Sequence, residues 1–419
     1  MAKNGVIFIL CLFIGSFLRY YKISTNVPLI ADQGWFYLSA INSLTTGTFP
    51  LTGITSSVVW LHQGSLFTYL LIPALSIASY HPASGAVLTA GLGVIGILLV
   101  YWIGRIWLGR KAGLIAAVLY SFSPLAVIHA RTAYHTAPIP IFFSLFLLLV
   151  YKKRWFLAFL FLGFLYQLEL ASVVLWPVVG YYIFSNKSKP RLLDYGAMVI
   201  AILPLLASGW IQGTGVFVWS IYHLVFHSNT TVSMGSLYTL LISRFIFPQL
   251  PDIAIRLMIL TAIVFALHRF RKIFLWFFFL SLALIINRTP SEAYFHLIEV
   301  PLIIILANMF SRFPRKLLYI LILIYCVSNS YFLISRQYLL GKGGYGPSLE
   351  SRIKLAKKIL SLSNTLQPEI VMSGPGNKYE SYDDPYLYLI WWLSRDISPS
   401  GKHSGFLINE PDQTIRVLE

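Results

Sequence analysis

Apolar positions in this chain come in long unbroken runs, and the runs recur from residue 5 to residue 334. A helix needs about 20 apolar residues to cross a hydrocarbon core of about 30 Å. The runs at 5–21, 84–104, 112–130, 138–151, 155–168, 171–184, 194–212, 252–268, 273–287, 295–310 and 317–334 predict eleven membrane-crossing helices. Such repetition excludes a single signal peptide. Every second connection carries three basic residues: Arg105, Arg110 and Lys111; Lys152, Lys153 and Arg154; Lys187, Lys189 and Arg191; Arg269, Arg271 and Lys272; Arg312, Arg315 and Lys316. The positive-inside rule places those loops and the N-terminus in the cytoplasm. Residues 22–83, 131–137, 169–170, 213–251 and 288–294, with everything after 335, then lie outside. Residues 64–80 are apolar enough to suggest another span, but that would invert every later basic cluster. They are expected to lie in the outer interface, as are 34–46 and 215–228, which mix aromatic, apolar and polar residues.

After residue 335 the pattern becomes that of a soluble protein. LESRIKLAKKILSL has helical periodicity, and EIVMSG, GFLINE and TIRVLE read as short strands. The expectation is a mainly α polytopic protein with two domains, 1–335 in the membrane and 336–419 as a small extracytoplasmic α/β unit. A unit of that size holds only a modest core, so it is expected to lean on the membrane domain.

Composition agrees: 57% of residues are hydrophobic and 11% charged, a balance suited to lipid as the main solvent. The net charge of +17 is spread over loop clusters rather than one soluble face, which argues against nucleic acid as a partner. Cys11 and Cys326 both lie inside apolar runs and read as packing residues.

The acidic residues are informative because they are sparse. Residues 1–340 contain only Asp32, Glu169, Asp194, Asp252, Glu292 and Glu299. Ionisable groups near lipid are costly, which draws attention to those present. Asp32 follows the first span where an outer loop turns into a surface helix, and it suits either a helix N-cap or a general base, two compatible roles. Arg131 and His135 emerge from the third span on the same side; they suit a phosphate, or, for Arg131, snorkelling to headgroups. His129 suits a satisfied core histidine. Glu169, in a very short outer turn, needs a partner, of which a substrate hydroxyl is one. Arg288 and Glu292 flank a late outer loop as a local ion pair or as binding groups. Asp194 reads as an interfacial residue and Glu299 as a buried contact within the bundle.

An Asp just after the first span, a surface helix rich in proline and aromatics, an SP…R segment ending the third span and a Y-x6-P in a late span together resemble the GT-C glycosyltransferases, in particular the protein O-mannosyltransferase and aminoarabinose transferase group. The resemblance covers roughly residues 5–310. It implies an enzyme of the plasma membrane that takes a sugar from a polyprenyl-phosphate carrier and passes it, with inversion, to an extracytoplasmic protein, glycan or lipid. Carried over, it implies Asp32 as the catalytic base, Arg131, His62 and Arg288 as donor-phosphate contacts, and Gln33, His135, Glu169 and Tyr294, the last with Pro301, as substrate contacts. No cofactor and no metal ion are expected. The chain departs from the pattern in several places. Gln33 stands where relatives commonly have a second acid, His62-Gln63-Gly64 where the aminoarabinose branch has Lys-Pro, and Ala137 where it has Asp before the proline. Glu169 stands where that branch has a Lys eight residues before a proline, here Pro177. These differences argue against an aminoarabinose substrate.

Two other functions fit the same pattern. A lipid-linked-sugar flippase or transporter would also be polytopic and basic, but transporters usually gather polar groups near mid-membrane in repeated halves. An oligosaccharyltransferase is suggested by YLIWWLSRD, whose Trp391-Trp392 resembles the start of that enzyme's WWDYG motif. The tail could equally be a structural or partner-binding module. Asn229-Thr230-Thr231 is a glycosylation sequon.

Overall fold

A computed structural model describes residues 2–55, 61–185, 189–212, 248, 278, 295–342, 344–374 and 381–418. The expected spans 252–268 and 273–287, the surface helix at 215–228 and the sequon lie outside the described residues.

The chain opens with helix α1 (Ala2–Tyr20), followed by α2 (Ala31–Thr46), a hairpin of β1 (Thr52–Thr55) and β2 (His62–Gly64), and α3 (Leu66–Ile77). The bundle continues with α4 (Ser84–Leu108), α5 (Arg110–Phe122), α6 (Pro124–Ala130), α7 (Ile139–Tyr151), α8 (Trp155–Leu168), α9 (Leu175–Ser185), α10 (Leu192–Gln212), α11 (Phe295–Phe310) and α12 (Arg315–Ser335). Helix α3 has 12 residues, about 18 Å at 1.5 Å per residue.

Among the described residues, α4, α10 and α12 are long and apolar enough to span a membrane, and α5 with α6 would make a fourth span bent by 57°. The third span is therefore not the single helix expected over 112–130. Its break has a local cause: Ser123, which precedes Pro124, is extended (φ −62°, ψ 120°), and its Oγ caps α6 by accepting from the Ala126 N–H at 3.3 Å. A residue before proline is pushed out of the helical region, and proline is favoured in the first helical turn. The run at 171–184 also departs from expectation, opening with a 3-10 turn over Leu170–Val174 before α9. Helices α7, α8 and α11 are apolar but short.

Burial follows sequence character. Every residue of α11 is buried, as expected of a helix apolar on all sides, whereas α12 exposes Tyr319, Leu323, Val327 and Tyr331 as a lipid-facing stripe. Lys111 donates from Nζ to the Ser311 carbonyl at 2.6 Å, so two of the basic clusters meet at one end of the bundle. Glu299 is buried beside Ser123, whose hydroxyl donates to it at 3.4 Å, and His129 pairs with His296 at 3.0 Å between ring nitrogens. Both match the reading of Glu299 and His129 as bundle-interior residues.

The C-terminal segment folds as the period of its sequence indicates. It comprises α13 (Leu349–Leu362), β3 (Glu369–Ser373), α14 (Asp384–Leu393), β4 (Gly405–Asn409) and β5 (Thr414–Leu418). β4 is central, parallel to β3 and antiparallel to β5, with Glu369 opposite Gly405 and Gly405 opposite Leu418. Leu355, Ala356, Ile359, Leu360, Phe406 and Ile408 are buried under the helices. Backbone hydrogen bonds from Leu349 N to Val27 O (2.8 Å) and from Glu350 N to Thr25 O (3.1 Å) tie this segment to the connection between α1 and α2.

Candidate active site

The site is built around the first turn of α2. Ile30, extended at φ −96° and ψ 168°, precedes the helix, and its N–H donates to Oε1 of Gln33 at 2.9 Å. Gln33 thus closes the helix start, half of a capping box, which leaves Asp32 free of that task. The Asp32 carboxylate instead accepts two hydroxyl hydrogen bonds: Oδ2 from Tyr134 at 2.8 Å and Oδ1 from Ser381 at 3.0 Å. Among the described residues no basic side chain forms an ion pair with it. A carboxylate offers about four acceptor positions, so two filled ones leave room for a substrate hydroxyl.

Tyr134 and His135 lie in the turn between α6 and α7. The His135 ring lies 5.6 Å from the Phe36 ring, and its Nε2 is 3.7 Å from Oε2 of Glu169, both side chains being buried. Glu169 also accepts from the Ala171 N–H at 3.2 Å, which caps the 3-10 turn before α9. The β1–β2 hairpin docks here, for Gln63 Oε1 accepts from the Leu170 N–H at 3.2 Å. Next to it His62 Nδ1 lies 3.4 Å from Thr55 Oγ1. The fold therefore brings Asp32, Tyr134, His135, Glu169 and the hairpin bearing His62 to one end of the bundle.

Three of the expected site residues already have partners within the protein. Arg131 is 1% exposed, and its guanidinium donates to the carbonyls of Arg19 (2.8 Å), Tyr21 (2.8 Å), Leu18 (3.4 Å) and Asn26 (2.7 Å) while stacking 3.8 Å from the Tyr338 ring centroid. It satisfies the carbonyls that the end of α1 leaves open, and a donor phosphate would have to compete with all of them. Gln33 is fully buried, and its Oε1 caps α2. Glu169 already has His135 and a backbone N–H as partners, so it does not need a substrate hydroxyl to be satisfied. Arg288, Glu292, Asp252 and Tyr294 lie outside the described residues. Pro301 falls inside α11.

Two contributors went unread in the sequence. Tyr134 stands between two residues singled out there. Ser381 comes from the C-terminal segment, 349 positions away from Asp32. That segment packs tightly at this point: a Cβ added to Gly34 would run into the Pro385 nitrogen and the Asp384 carbonyl carbon, so only glycine admits the approach. The Asp384 carboxyl is pushed up to about 6, by burial first and then by the negative charges of Asp383 and Asp32. Trp391 and Trp392, by contrast, sit at the other end of α14 against Tyr80 and His81, in the turn between α3 and α4. The tryptophan pair is thus used for docking the segment. Among the described residues no group of three His, Cys, Asp or Glu side chains is arranged to hold a metal ion.

No family model and no curated protein sequence matches the chain. Solved structures do. ArnT from Cupriavidus metallidurans bound to undecaprenyl phosphate superposes with a TM-score of 0.65 at 12% identity, covering 97% of this chain and 93% of that one. Its apo form covers 98% and 94% at the same score and identity. The archaeal oligosaccharyltransferase AglB from Archaeoglobus fulgidus, in complex with an inhibitory peptide and a dolichol-phosphate, gives 0.58 at 14% identity, covering 93% of this chain and 63% of that one. The chain shares the fold of these two proteins.

Proposed function

We propose that this protein is an inverting glycosyltransferase that moves a monosaccharide from a polyprenyl-phosphate donor to an acceptor hydroxyl outside the cytoplasm. The observation that carries the proposal is the Asp32 carboxylate, fixed by two neutral hydroxyls, without a described cationic partner, in a fold shared with a transferase bound to undecaprenyl phosphate. In the reaction the acceptor oxygen attacks the anomeric carbon, the bond from that carbon to the phosphate oxygen breaks, and the acceptor proton passes to Asp32. The prenyl phosphate leaves with the bonding electrons. A positioned base of this kind contributes about 100- to 10,000-fold.

The leaving phosphate needs positive charge or hydrogen-bond donors. His62, carried by the hairpin beside Glu169, and Arg288 take that role in this reading; Arg131 is engaged with α1. His135, held by Glu169, lies alongside Tyr134 and lines the substrate end of the site. The lipid-linked donor fits the outward placement, since a prenyl chain delivers an activated sugar through the bilayer.

The test is label transfer by membranes containing the intact protein, supplied with a panel of radiolabelled undecaprenyl-phosphate monosaccharides that includes mannose, glucose and aminoarabinose. Transfer to an acceptor with inverted anomeric configuration supports the proposal. Movement of the labelled lipid between leaflets without sugar transfer supports a flippase instead and overturns it.

A further inference from the structure

The C-terminal segment reads at first as an appendage: it has its own sheet, its own buried core and a periodicity distinct from that of the bundle. Its placement says otherwise. Ser381 directs its hydroxyl at Oδ1 of Asp32, and Gly34 on the same helix is packed against the backbone of Asp384 and Pro385 with no room for a side chain. The docking is supported farther along α14. The Tyr37 and Tyr388 rings pack edge to face at 4.8 Å, Tyr388 donates its hydroxyl to the Tyr80 carbonyl, and Arg395 donates to the Ser79 carbonyl at 3.3 Å while lying over the Tyr80 ring. α14 is thereby clamped along its length, with its N-terminal end at Asp32.

We infer that Ser381 is a positioning residue of the transferase site, so that the C-terminal segment completes the site and is not merely attached to it. The inference rests on Asp32 being the base of the transfer reaction. Tyr134 holds one carboxylate oxygen from the bundle side, and Ser381 holds the other from the C-terminal side. Together they fix the plane of the carboxylate and leave a remaining lone pair on each oxygen for the acceptor. With Ser381 removed, Tyr134 is the one described donor left, and the carboxylate rotates about its Cβ–Cγ bond. Misorientation of a base by a fraction of an ångström reduces the rate without removing the group.

The experiment compares the full-length protein with Ser381→Ala, Ser381→Thr, Asp32→Asn and Glu350→Gln. All are assayed for transfer from the undecaprenyl-phosphate sugar of the panel that the intact protein uses, with folding checked by thermal melting in detergent. Glu350 pairs with Lys354 on the exposed face of α13, so its variant reports disturbance of the segment away from the site. The expected result is a fall of about 10- to 100-fold in kcat for Ser381→Ala, the loss of one hydrogen bond to a charged group, with KM for the donor unchanged. Ser381→Thr restores most of that rate, and Glu350→Gln has the rate of the intact protein. If Asp32→Asn abolishes transfer while folded Ser381→Ala keeps the full rate, or if Thr fails to rescue, the positioning role is wrong and the transferase reading survives. Full activity in Asp32→Asn removes both. Should Ser381→Ala fail to fold, Ser381→Cys, which preserves volume and weakens the donor, takes its place, and full kcat in it overturns the inference.

Discussion

Two carboxylates, one on each side of the boundary between the C-terminal segment and the membrane bundle, are held in opposite ways. Glu410 in the C-terminal segment is buried and meets Arg352 in a fork, Nε to Oε1 at 2.9 Å and Nη2 to Oε2 at 2.7 Å, with the Tyr386 hydroxyl donating at 2.7 Å. Among the described residues, Asp32 accepts from two neutral hydroxyls. A carboxylate saturated by a guanidinium fork has little hydrogen-bonding capacity left; one held by two hydroxyls retains open lone pairs. On the proposed reading, the contrast separates an acid that holds the structure from one that does the chemistry, even though both have several polar partners.

The largest expected effect is at the second kind of carboxylate. Asp32→Asn should lower transfer by about 100- to 10,000-fold while leaving the melting temperature where it was, since asparagine still accepts a hydrogen bond. Next comes the first kind. Arg352→Met leaves Glu410 buried without its cation, and breaking a buried pair from one side costs about 3–5 kcal/mol. The melting temperature of the protein in detergent should drop, and the added change Glu410→Leu should recover much of it. Tyr134→Phe removes one of the two donors to Asp32 and should reduce the rate by about 10- to 100-fold, again with little change in melting. The smallest effect is one of pH. Asp384 has an ordinary carboxyl in the unfolded chain and one raised to about 6 in the folded protein, so the folded state binds the extra proton between those values. Its contribution to stability is fully present below the unfolded value and is lost as pH rises through about 6. Thermal melts should therefore show the protein gaining stability as pH falls from 7.5 toward 5. The gain should shrink in Asp384→Asn.

Much of this arrangement can be read from the chain alone. The C-terminal elements follow from periods of 3.6 and 2 with clear polar ends, and α13 runs over the residues of its periodic stretch, 349–362. Asp32 stands out because it is the only acid in the first 168 residues. The bend between α5 and α6 was not anticipated, although Ser123-Pro124 is a local signal for it: hydropathy averages over a proline that geometry does not ignore. Arg131 is incompletely legible for a different reason. Its type and position suit a phosphate equally well, and only the fold shows that α1 ends beside it with carbonyls to satisfy. Ser381 was out of reach, because a serine in a soluble stretch carries no mark of a partner 349 positions earlier. Gly34 was the nearest hint, a glycine inside the first turns of a helix where close approach is one of few reasons to have it.

The most direct test of the account crosses its two halves. Transfer rate and melting temperature are measured together on the intact protein, Asp32→Asn and Arg352→Met, at equal amounts of folded protein. The account predicts that Asp32→Asn loses transfer and keeps its melting temperature, while Arg352→Met loses melting temperature and, below its transition, keeps transfer. Transfer at full rate by Asp32→Asn, or loss of transfer in folded Arg352→Met equal to that in Asp32→Asn, would contradict it.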